Sequence, residues 1–383
     1  MNRKPLIVRS GMTRRQFLAR SGALGAAGLS LPALLAACGG DGGSSSGLFF
    51  ENWPLYIDPT EGDTIGTIDR FMEATGIDMK YTEAYNDNNE YFAKIQPILG
   101  AGKTIDPDII APTSWMAGRL INLGWTEKLP LADIPNAANL EDGFKNPTWD
   151  PTGEYSLPWQ AGMAGIAYNS DAAGREIKSV ADLFDPAFKG KIGMLSEMRD
   201  TIGLILMGEG IDPSAISTFE EAAPAFEKLE KAKADGQIRA FTGNDYTDDL
   251  LAGNFAACIG WSGDLFQLET ESESVKFVIP EEGGTRWADV MVVPKGAKNV
   301  ANAAQWMNFV YDPEQAAQLT AWNMYVSPVK GVREIIAQSD PELAENPLVF
   351  PDEATSSRLR AFAQLSDEEE AKFDEAFSAI TGA

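Results

Sequence analysis

The feature that most limits the possible folds is a regular alternation of short apolar runs with amphipathic stretches, which begins at Leu48. Phe49 and Phe50 open a strand, residues 65–74 have the spacing of a helix that Gly76 ends, and residues 77–81 form the next strand. Such alternation predicts an α/β fold with a largely parallel sheet and crossover helices. Ligands of these sheets bind beyond the carboxyl ends of the strands.

The same alternation continues along the chain in two blocks, without an internal repeat. The first block adds a helix at 89–99, a strand at 108–111 and a helix at 114–123. The second block has strands at 166–169, 192–195, 256–260, 277–280 and 290–293, with helices at 199–208, 218–235 and 301–309. A chain of 383 residues is long enough for two lobes with separate cores.

The charge and the missing residue types exclude several functions. The chain has 31 basic and 56 acidic residues, so a net charge of -25 makes nucleic-acid binding improbable. It contains no His, which removes Ser-His-Asp and Cys-His catalysis and every His-ligated metal site. Of its two Cys, Cys258 lies in an apolar strand and is predicted to be a small core residue.

The N-terminus has the pattern of an export signal. Residues 1–37 carry six basic and no acidic side chains and end in a small, apolar run. Arg14 and Arg15 resemble a twin-arginine signal, and the residues around Cys38 resemble a lipoprotein box, which implies cleavage before Cys38 and a lipid on its sulfur. Residues 38–47 would then be the lipidated Cys and a flexible tether. The alternatives are an ordinary leader or a single membrane span, for which the apolar run is short.

Aromatic and acidic side chains collect at the ends of the predicted strands, where a core pattern does not need them. Rings contact methylene groups and attract cations, while ionised acids accept N–H bonds, so this mixture suits an alkylammonium ligand. The positions are Trp53, Tyr56, Trp115, Glu197, Asp200, Trp261, Asp264, Trp287, Asp289 and Tyr325.

Each of these residues also has a purely structural interpretation. Glu197 and Asp200 are three residues apart, so at the start of a helix they share a face and could clamp one ammonium. Acids in a first helical turn equally well cap free N–H groups and complement the helix dipole. The tryptophans could pack in the core or between lobes, and spacing alone leaves both interpretations open.

Several short motifs, in order from about residue 48 to the C-terminus, resemble the spermidine/putrescine-binding proteins of bacterial ABC importers. Each motif alone is weak, whereas the ordered set is specific. The motifs are Asn52-Trp53-x-x-Tyr56, Tyr91-Phe92-Ala93-Lys94, Asp108-Ile109-Ile110-Ala111-Pro112, Tyr155-Ser156-Leu157-Pro158, residues 181–190, Gly260-Trp261-Ser262-Gly263, residues 280–284 and Trp287-Ala288-Asp289.

The resemblance implies an α/β, two-lobed periplasmic-binding-protein fold of type II, with mixed sheets, flanking helices and crossovers at a hinge. Residues 48–160 and 288–333 would form lobe 1, and residues 161–287 and 334–383 would form lobe 2. The implied ligand-binding residues are the aromatic walls Trp53, Tyr56 and Trp115 of the first lobe, the acid pair Glu197 and Asp200 of the second, the stacking Trp261 and Trp287, the amine-binding Asp289, and a further wall, Tyr325.

The chain departs from the family pattern at three places that bear on the ligand. Pro54 and Leu55 stand where spermidine-type proteins often have an acid, Trp115 replaces a usual Tyr, and Asp264 adds a carboxylate. Gln364 lies near a position where the family has a Gln contact, in a segment that aligns loosely. Putrescine, spermidine and other cationic amines therefore all remain possible.

These observations predict a lipid-anchored receptor outside the cytoplasm that captures a polyamine and delivers it to an ABC permease. We expect a monomer that needs no cofactor or metal and is not an enzyme. One alternative is a secreted glycoside hydrolase, because Trp with Asp and Glu also suits carbohydrates. Another is a receptor of the same fold for a different solute, such as thiamine, a sugar or an anion. An anion is disfavoured, because the selected positions include no Lys.

Overall fold

A computed structural model describes residues 47–145 and 147–382 of the chain. The predicted signal sequence at 1–37, the lipidation site Cys38 and nearly all of the tether lie outside the described residues. Cys258 is buried in the second of two cores, as a strand residue, in agreement with the prediction. No helix among residues 47–145 and 147–382 has the length and apolar character needed to cross a bilayer.

Within the described residues, ten strands form one sheet. They are β1 (Gly47–Asn52), β2 (Asp78–Glu83), β3 (Ile109–Ile110), β4 (Ser156–Asn169), β5 (Ile192–Leu195), β6 (Ile238–Thr242), β7 (Ala257–Trp261), β8 (Val275–Val278), β9 (Gly284–Val292) and β10 (Leu359–Arg360).

Fourteen α-helices and five short 3-10 helices surround this sheet within the described residues. The α-helices are α1 (Thr67–Thr75), α2 (Asn88–Leu99), α3 (Ser114–Asn122), α4 (Ser170–Ala173), α5 (Met198–Gly208), α6 (Phe219–Ala234), α7 (Tyr246–Leu251), α8 (Ser262–Glu271), α9 (Val300–Val310), α10 (Pro313–Asn323), α11 (Val332–Ile336), α12 (Pro341–Ala344), α13 (Glu353–Ser356) and α14 (Asp367–Thr381). The 3-10 helices are Leu131–Asp133, Pro135–Asn139, Asp142–Phe144, Val180–Phe184 and Pro186–Phe188.

The sheet is parallel at both ends and antiparallel in the middle. Its strand order is β2-β1-β3-β9-β4-β7-β5-β6, with β10 beside β9 and β8 beside β4. Strand β1 pairs in parallel with β2 and β3, and β5 does so with β6 and β7, as the alternation of strands and helices predicts. The central strands β4 and β9 are antiparallel to each other and to β3 and β7, so the sheet as a whole is mixed.

The sequence pattern missed most of β4, which is the longest strand. Only residues 166–169 were predicted, whereas the strand begins at Ser156. Its first part contains Pro158, Gly162 and Gly165, and these residue types are depleted in strands. The register shifts next to Pro158, between Pro158 and Gln160, where the pairing with β9 is interrupted.

Two hydrophobic cores divide the molecule, and β4 passes from one to the other. The first core contains residues between 48 and 159 and between 290 and 349, and the second contains residues between 163 and 277 and between 359 and 380. We refer to these as the first and second lobes. Because β4 and β9 pair along their length from Ser156 with Val292 to Ala164 with Thr285, they are the strands that connect the lobes.

The second boundary between lobes differs from the sequence prediction. Residues 334–350 were assigned to the second lobe, but Ile336, Leu343 and Val349 are buried in the first core. Helix α11 packs on α10, and α12 packs on α11, so these short helices belong to the first lobe. The partly buried Leu348 packs against the second core, and the buried residues from Leu359 onwards belong to it.

The C-terminal helix α14 is held on the second lobe by a cluster of aromatic rings. The ring of Phe373 is fully buried and lies 5.5 Å from Phe219, 5.4 Å from Phe226 and 6.1 Å from Phe362, centroid to centroid. Edge-to-face pairs of this kind add to the free energy gained by burying the rings.

We predict that Phe373→Ala lowers the free energy of unfolding by about 3–5 kcal/mol, because it leaves a cavity at the centre of this cluster. Urea denaturation of the purified protein measures the change. The control Ile98→Ala removes an apolar side chain of α2 that is 37% exposed, and it should change stability by less than about 0.5 kcal/mol. Equal effects of the two substitutions would contradict the proposed anchoring of α14.

Candidate ligand-binding site

All nine predicted site residues line one cleft between the two lobes, with a volume of about 530 Å³. Trp53 and Tyr56 follow β1, Trp115 follows β3, and Glu197 and Asp200 follow β5. Trp261 ends β7, Trp287 and Asp289 lie on β9, and Tyr325 follows α10. The cleft therefore lies at the carboxyl ends of the parallel strands, where the alternation of strands and helices predicts it.

Asp289 is the centre of the half of the site that the first lobe provides. It is 2% exposed, and it accepts hydrogen bonds from the Tyr56 hydroxyl at 2.6 Å and from Thr113 Oγ1 at 2.7 Å. Burial raises the pKa of this carboxyl to about 7. The nearby Trp53 is fixed by a bond of 2.7 Å from its Nε1 to the carbonyl oxygen of Ala111.

Asp200 has a similar environment in the half that the second lobe provides. Trp261 Nε1 donates to Asp200 Oδ2 at 2.8 Å, and Thr285 Oγ1 donates to Asp200 Oδ1 at 2.6 Å. The side chain is 4% exposed, and burial raises its pKa. Each of the two carboxylates is thus held by two neutral donors, which fix its orientation without compensating its charge.

Glu197 caps a helix and also lies in the lining of the cleft. It is the N-cap of α5, since its Oε1 accepts from the backbone N of Arg199 at 3.3 Å. It also lines the cleft, where burial raises its pKa to about 8. Arg199 Nη1 lies 3.8 Å from Glu197 Oε1, so this carboxylate has a cation beside it.

Three aromatic rings of the cleft contact one another and form an aromatic wall. The Tyr325 ring lies 5.1 Å from the Tyr56 ring and 5.6 Å from the Trp287 ring, centroid to centroid. Trp287 lies directly against Gly162 of β4, where a Cβ atom would come within 2.5 Å of the indole. A side chain at position 162 would therefore push Trp287 into the cleft.

The lobes contact each other across the mouth of the cleft. The Arg199 guanidinium of the second lobe lies 3.6 Å from the centroid of the Trp115 ring of the first. Ser196 Oγ donates to Asp87 Oδ2 at 3.3 Å, and Arg119 forms an ion pair of 3.8 Å with Asp374. The structure therefore shows the cleft with its two sides in contact.

Two other residues singled out in the sequence have different positions. Asp264 is fully buried and accepts from the hydroxyls of Tyr325 at 2.9 Å and Tyr246 at 3.1 Å, so it supports the aromatic wall from behind. Gln364 is exposed and lines the outer part of the cleft. Sequence reasoning missed Thr113 and Thr285, because single hydroxyl residues carry no recognisable pattern.

Two lobes joined by crossing strands, with a cleft lined from both sides, define the protein as a solute-binding protein of the type II periplasmic fold. The comparisons agree with this class. The sequence profile of the bacterial extracellular solute-binding proteins matches residues 66–351, and the chain belongs to that family.

The relatives include proteins with named ligands. The spermidine/putrescine-binding periplasmic protein of Escherichia coli is 26% identical over 309 residues, covering 80% of this chain and 84% of the relative. The putrescine/cadaverine-binding protein of Pseudomonas aeruginosa is 26% identical over 353 residues, covering 88% and 94%. The solved structure of a spermidine/putrescine ABC transporter substrate-binding protein from Streptococcus pneumoniae has a TM-score of 0.71 at 25% identity, covering 88% of this chain and 98% of that one.

We predict that Asp289→Asn makes the ligand-free protein more stable relative to the parent at pH 8 than it does at pH 5. The raised pKa means that the folded state binds a proton at Asp289 more tightly than the unfolded state, so this stabilisation is lost as pH rises from about 4 to about 7. An amide at this position removes that loss, by up to about 1.4 kcal/mol for each pH unit.

Urea denaturation of the ligand-free protein at several pH values measures this effect. The groups that face Asp289 are Tyr56, Thr113 and, by its charge, Asp200, and none of them is changed by the substitution. The control Glu73→Gln removes an exposed carboxylate of α1. The difference in unfolding free energy between this variant and the parent should be the same at both pH values. A pH-independent effect of Asp289→Asn would contradict the buried, protonated carboxyl.

Proposed function

We propose that the protein captures a polyamine, putrescine or spermidine, outside the cytoplasm and delivers it to the permease of an ABC importer. The observation that carries this proposal is the pair of buried carboxylates, Asp200 and Asp289, held by neutral donors on either side of an aromatic wall. The names of the curated relatives, which include spermidine, putrescine and cadaverine as ligands, support the same ligand class.

The charges of the cleft favour a cationic ligand. A buried carboxylate without a counterion is strongly disfavoured, and the raised pKa of Asp289 reflects this. An alkylammonium ion supplies the missing positive charge and donates hydrogen bonds worth about 1.5–3 kcal/mol each. Its methylene chain is suited to the faces of Trp287 and Tyr325, and a desolvated cation over such a ring contributes about 2 kcal/mol more.

The same arrangement couples binding to closure of the lobes. The ligand would contact Asp289 and Tyr56 of the first lobe and Asp200 and Trp261 of the second. A ligand that contacts both lobes binds the closed conformation better than the open one, and its binding shifts the population towards closure. Capture therefore needs no bond to be made or broken, and the proposed protein is a receptor and not an enzyme.

The N-terminal residues complete the proposal. The leader at 1–37 would direct export through a twin-arginine pathway, and a lipid on Cys38 would anchor the mature, monomeric protein to a membrane. The stretch at 39–47 is rich in Gly and Ser and would act as a tether between the anchor and the first strand.

We predict that Asp289→Ala, or the double substitution Glu197→Ala with Asp200→Ala, weakens putrescine and spermidine binding at least tenfold. Each change removes an acceptor for a ligand ammonium. Isothermal titration calorimetry of the mature domain, freed of ligand by unfolding and refolding, measures the affinities. The control Glu353→Ala removes an exposed carboxylate far from the cleft and should bind as the parent does. Unchanged affinity in the cleft variants would refute the site.

The lipid anchor has its own test in cells that process lipoproteins. The full-length protein should partition into the detergent phase of a Triton X-114 extract, and its mature N-terminus should carry a lipid at Cys38 by mass spectrometry. We expect Cys38→Ser to move the protein to the aqueous phase, because no thiol remains for the lipid. Detergent partitioning that is the same with and without Cys38 would contradict the proposed anchor.

A further inference from the structure

Asn88 is a buried polar residue in the lining of the cleft. It is the first residue of α2 and is 3% exposed, whereas its neighbour Asn89 is exposed. Asp87 caps the helix by accepting from the backbone N atoms of Asn89 and Glu90, so the start of the helix fixes the backbone that carries Asn88. A buried amide needs partners for its polar atoms.

The Asn88 side chain makes two hydrogen bonds with Thr113. Its Oδ1 accepts from the backbone N of Thr113 at 3.1 Å, and its Nδ2 donates to Thr113 Oγ1 at 2.8 Å. A backbone N–H group can only donate, so the oxygen of the amide must face it and the nitrogen must face the hydroxyl. The backbone of Thr113 therefore sets the orientation of the amide.

This orientation decides what the Thr113 hydroxyl can do. A hydroxyl has one hydrogen to donate, and Oγ1 already accepts from Asn88. Asp289 Oδ1 lies 2.7 Å from Oγ1 and accepts the hydroxyl hydrogen. Thr113 is the N-cap of α3, where Thr commonly bonds the helix, yet within the described residues its side chain makes no capping bond. The hydroxyl thus serves the carboxylate instead of its own helix.

Backbone pairing holds the hydroxyl and the carboxylate next to each other. Thr113 and Asp289 form an isolated antiparallel bridge, and the backbone N of Val290 donates to the carbonyl oxygen of Pro112 at 2.9 Å. With both backbones fixed, the remaining freedom is rotation of the side chains and of the hydroxyl hydrogen. The bond from Asn88 removes that freedom at Thr113.

The second N–H bond of the amide reaches the other lobe. Asn88 Nδ2 lies 3.5 Å from Oε2 of Glu197, the N-cap of α5 in the second lobe. An amide nitrogen carries two hydrogens, so one serves Thr113 and the other serves Glu197. A chain of hydrogen bonds therefore runs from Asp289 through Thr113 and Asn88 to Glu197, and both hydrogens of the amide are taken by protein atoms.

We propose that Asn88 is a positioning residue of the cleft, whose amide directs the Thr113 hydroxyl to Asp289 and links this carboxylate to Glu197 of the second lobe. The inference rests on the proposed function of the same site. A hydrogen bond to a carboxylate favours its ionised form, so the bond from Thr113 opposes the effect of burial on the pKa of Asp289. The ionised form is the one that accepts from an ammonium.

Asn88→Asp tests this role, because an oxygen replaces the nitrogen that faces Thr113 Oγ1. The new acceptor competes with Asp289 for the hydroxyl hydrogen and adds a negative charge, so we expect the pKa of Asp289 to rise by about 1 or more. NMR of the carboxyl carbons in ligand-free protein with isotope-labelled Asp measures this pKa, and Asp289→Asn identifies the signal. An unchanged pKa of Asp289 overturns the proposal.

The matched control is Asn89→Asp, which adds the same charge to the same turn of α2 on its exposed side. Water and salt screen this charge, so the pKa of Asp289 should stay as in the parent. Equal shifts in Asn88→Asp and Asn89→Asp overturn the proposal, because they would show an effect of charge alone.

Thr113→Val separates the loss of the hydroxyl from the added charge. It removes the donor, so we expect the pKa of Asp289 to rise in this variant as well. In the Thr113→Val background, Asn88→Asp can act only through its charge, and its effect should be at most about half as large as in the parent. Equal effects of Asn88→Asp in the two backgrounds overturn the proposal.

The other groups that face Asp289 are the same in all these variants. Tyr56 donates to Asp289 Oδ2, and Asp200 and Tyr85 interact with Asp289 through their charges. Glu197, at the other end of the chain of hydrogen bonds, carries no label and does not contribute to the signal. A change in the titration of Asp289 therefore reports on Asn88 and Thr113.

Neutron diffraction of the parent protein needs no variant to fold. At about pH 9, above the pKa of about 7, Asp289 is ionised. We expect the deuterium of the Thr113 hydroxyl to point at Asp289 Oδ1, and the two deuterium atoms of Asn88 Nδ2 to point at Thr113 Oγ1 and Glu197 Oε2. A hydroxyl deuterium that points elsewhere, or an amide with the opposite orientation, overturns the proposal.

Calorimetry with putrescine connects the positioning to binding. Asn88→Ala leaves the Thr113 hydroxyl free to rotate, so we expect binding to weaken by a factor of about three or more, while Asn89→Ala binds as the parent does. Parent-like affinity of Asn88→Ala overturns the proposal. If putrescine and spermidine do not bind the parent protein, the proposed function fails, and the pKa of Asp289 and the neutron structure still decide the role of Asn88.

Discussion

The cleft is organised around two buried negative charges that the protein orients but does not neutralise. Asp289 lies between Tyr56 and Thr113, and Asp200 lies between Trp261 and Thr285. Hydroxyl and indole donors fix the carboxylate oxygens, yet they leave the full charge to be balanced by something that enters from outside. The raised pKa values in the ligand-free state are the measurable consequence of this arrangement, since burial favours the protonated form. Burying these two carboxyl groups therefore costs part of the folding free energy.

The paired strands β4 and β9 place these charges in a common frame. Both strands run from one core to the other, and β9 carries Trp287 and Asp289 directly into the cleft. The two strands therefore link the two lobes directly, next to the residues of the cleft. Gly162 of β4 has no side chain, and this leaves the space that the indole of Trp287 occupies. Trp287 of the aromatic wall thus lies on one of the strands that connect the lobes, and side chains of both lobes contact each other beside it.

Contacts between the lobes join the two sides of the cleft. The Arg199 guanidinium of the second lobe lies over the Trp115 ring of the first, and Ser196 donates a hydrogen bond to Asp87. Arg199 also lies 3.8 Å from Glu197, so one side chain contacts both an aromatic ring and a carboxylate of the cleft.

Much of the fold was predictable from local patterns, because a buried strand or an amphipathic helix leaves a periodic trace in the sequence. Strand β5 and helices such as α2, α5 and α6 appear within a residue or so of their predicted ends. The family motifs also indicated nine of the residues that line the cleft, although their spacing alone could not separate caps and core residues from ligand contacts. The tertiary structure decided the rest. It extended β4 through Pro158 and two glycines, buried Ile336, Leu343 and Val349 in the first core, and placed Arg199 on Trp115. These outcomes depend on contacts between residues far apart in the chain, and such contacts leave no periodic pattern in either segment.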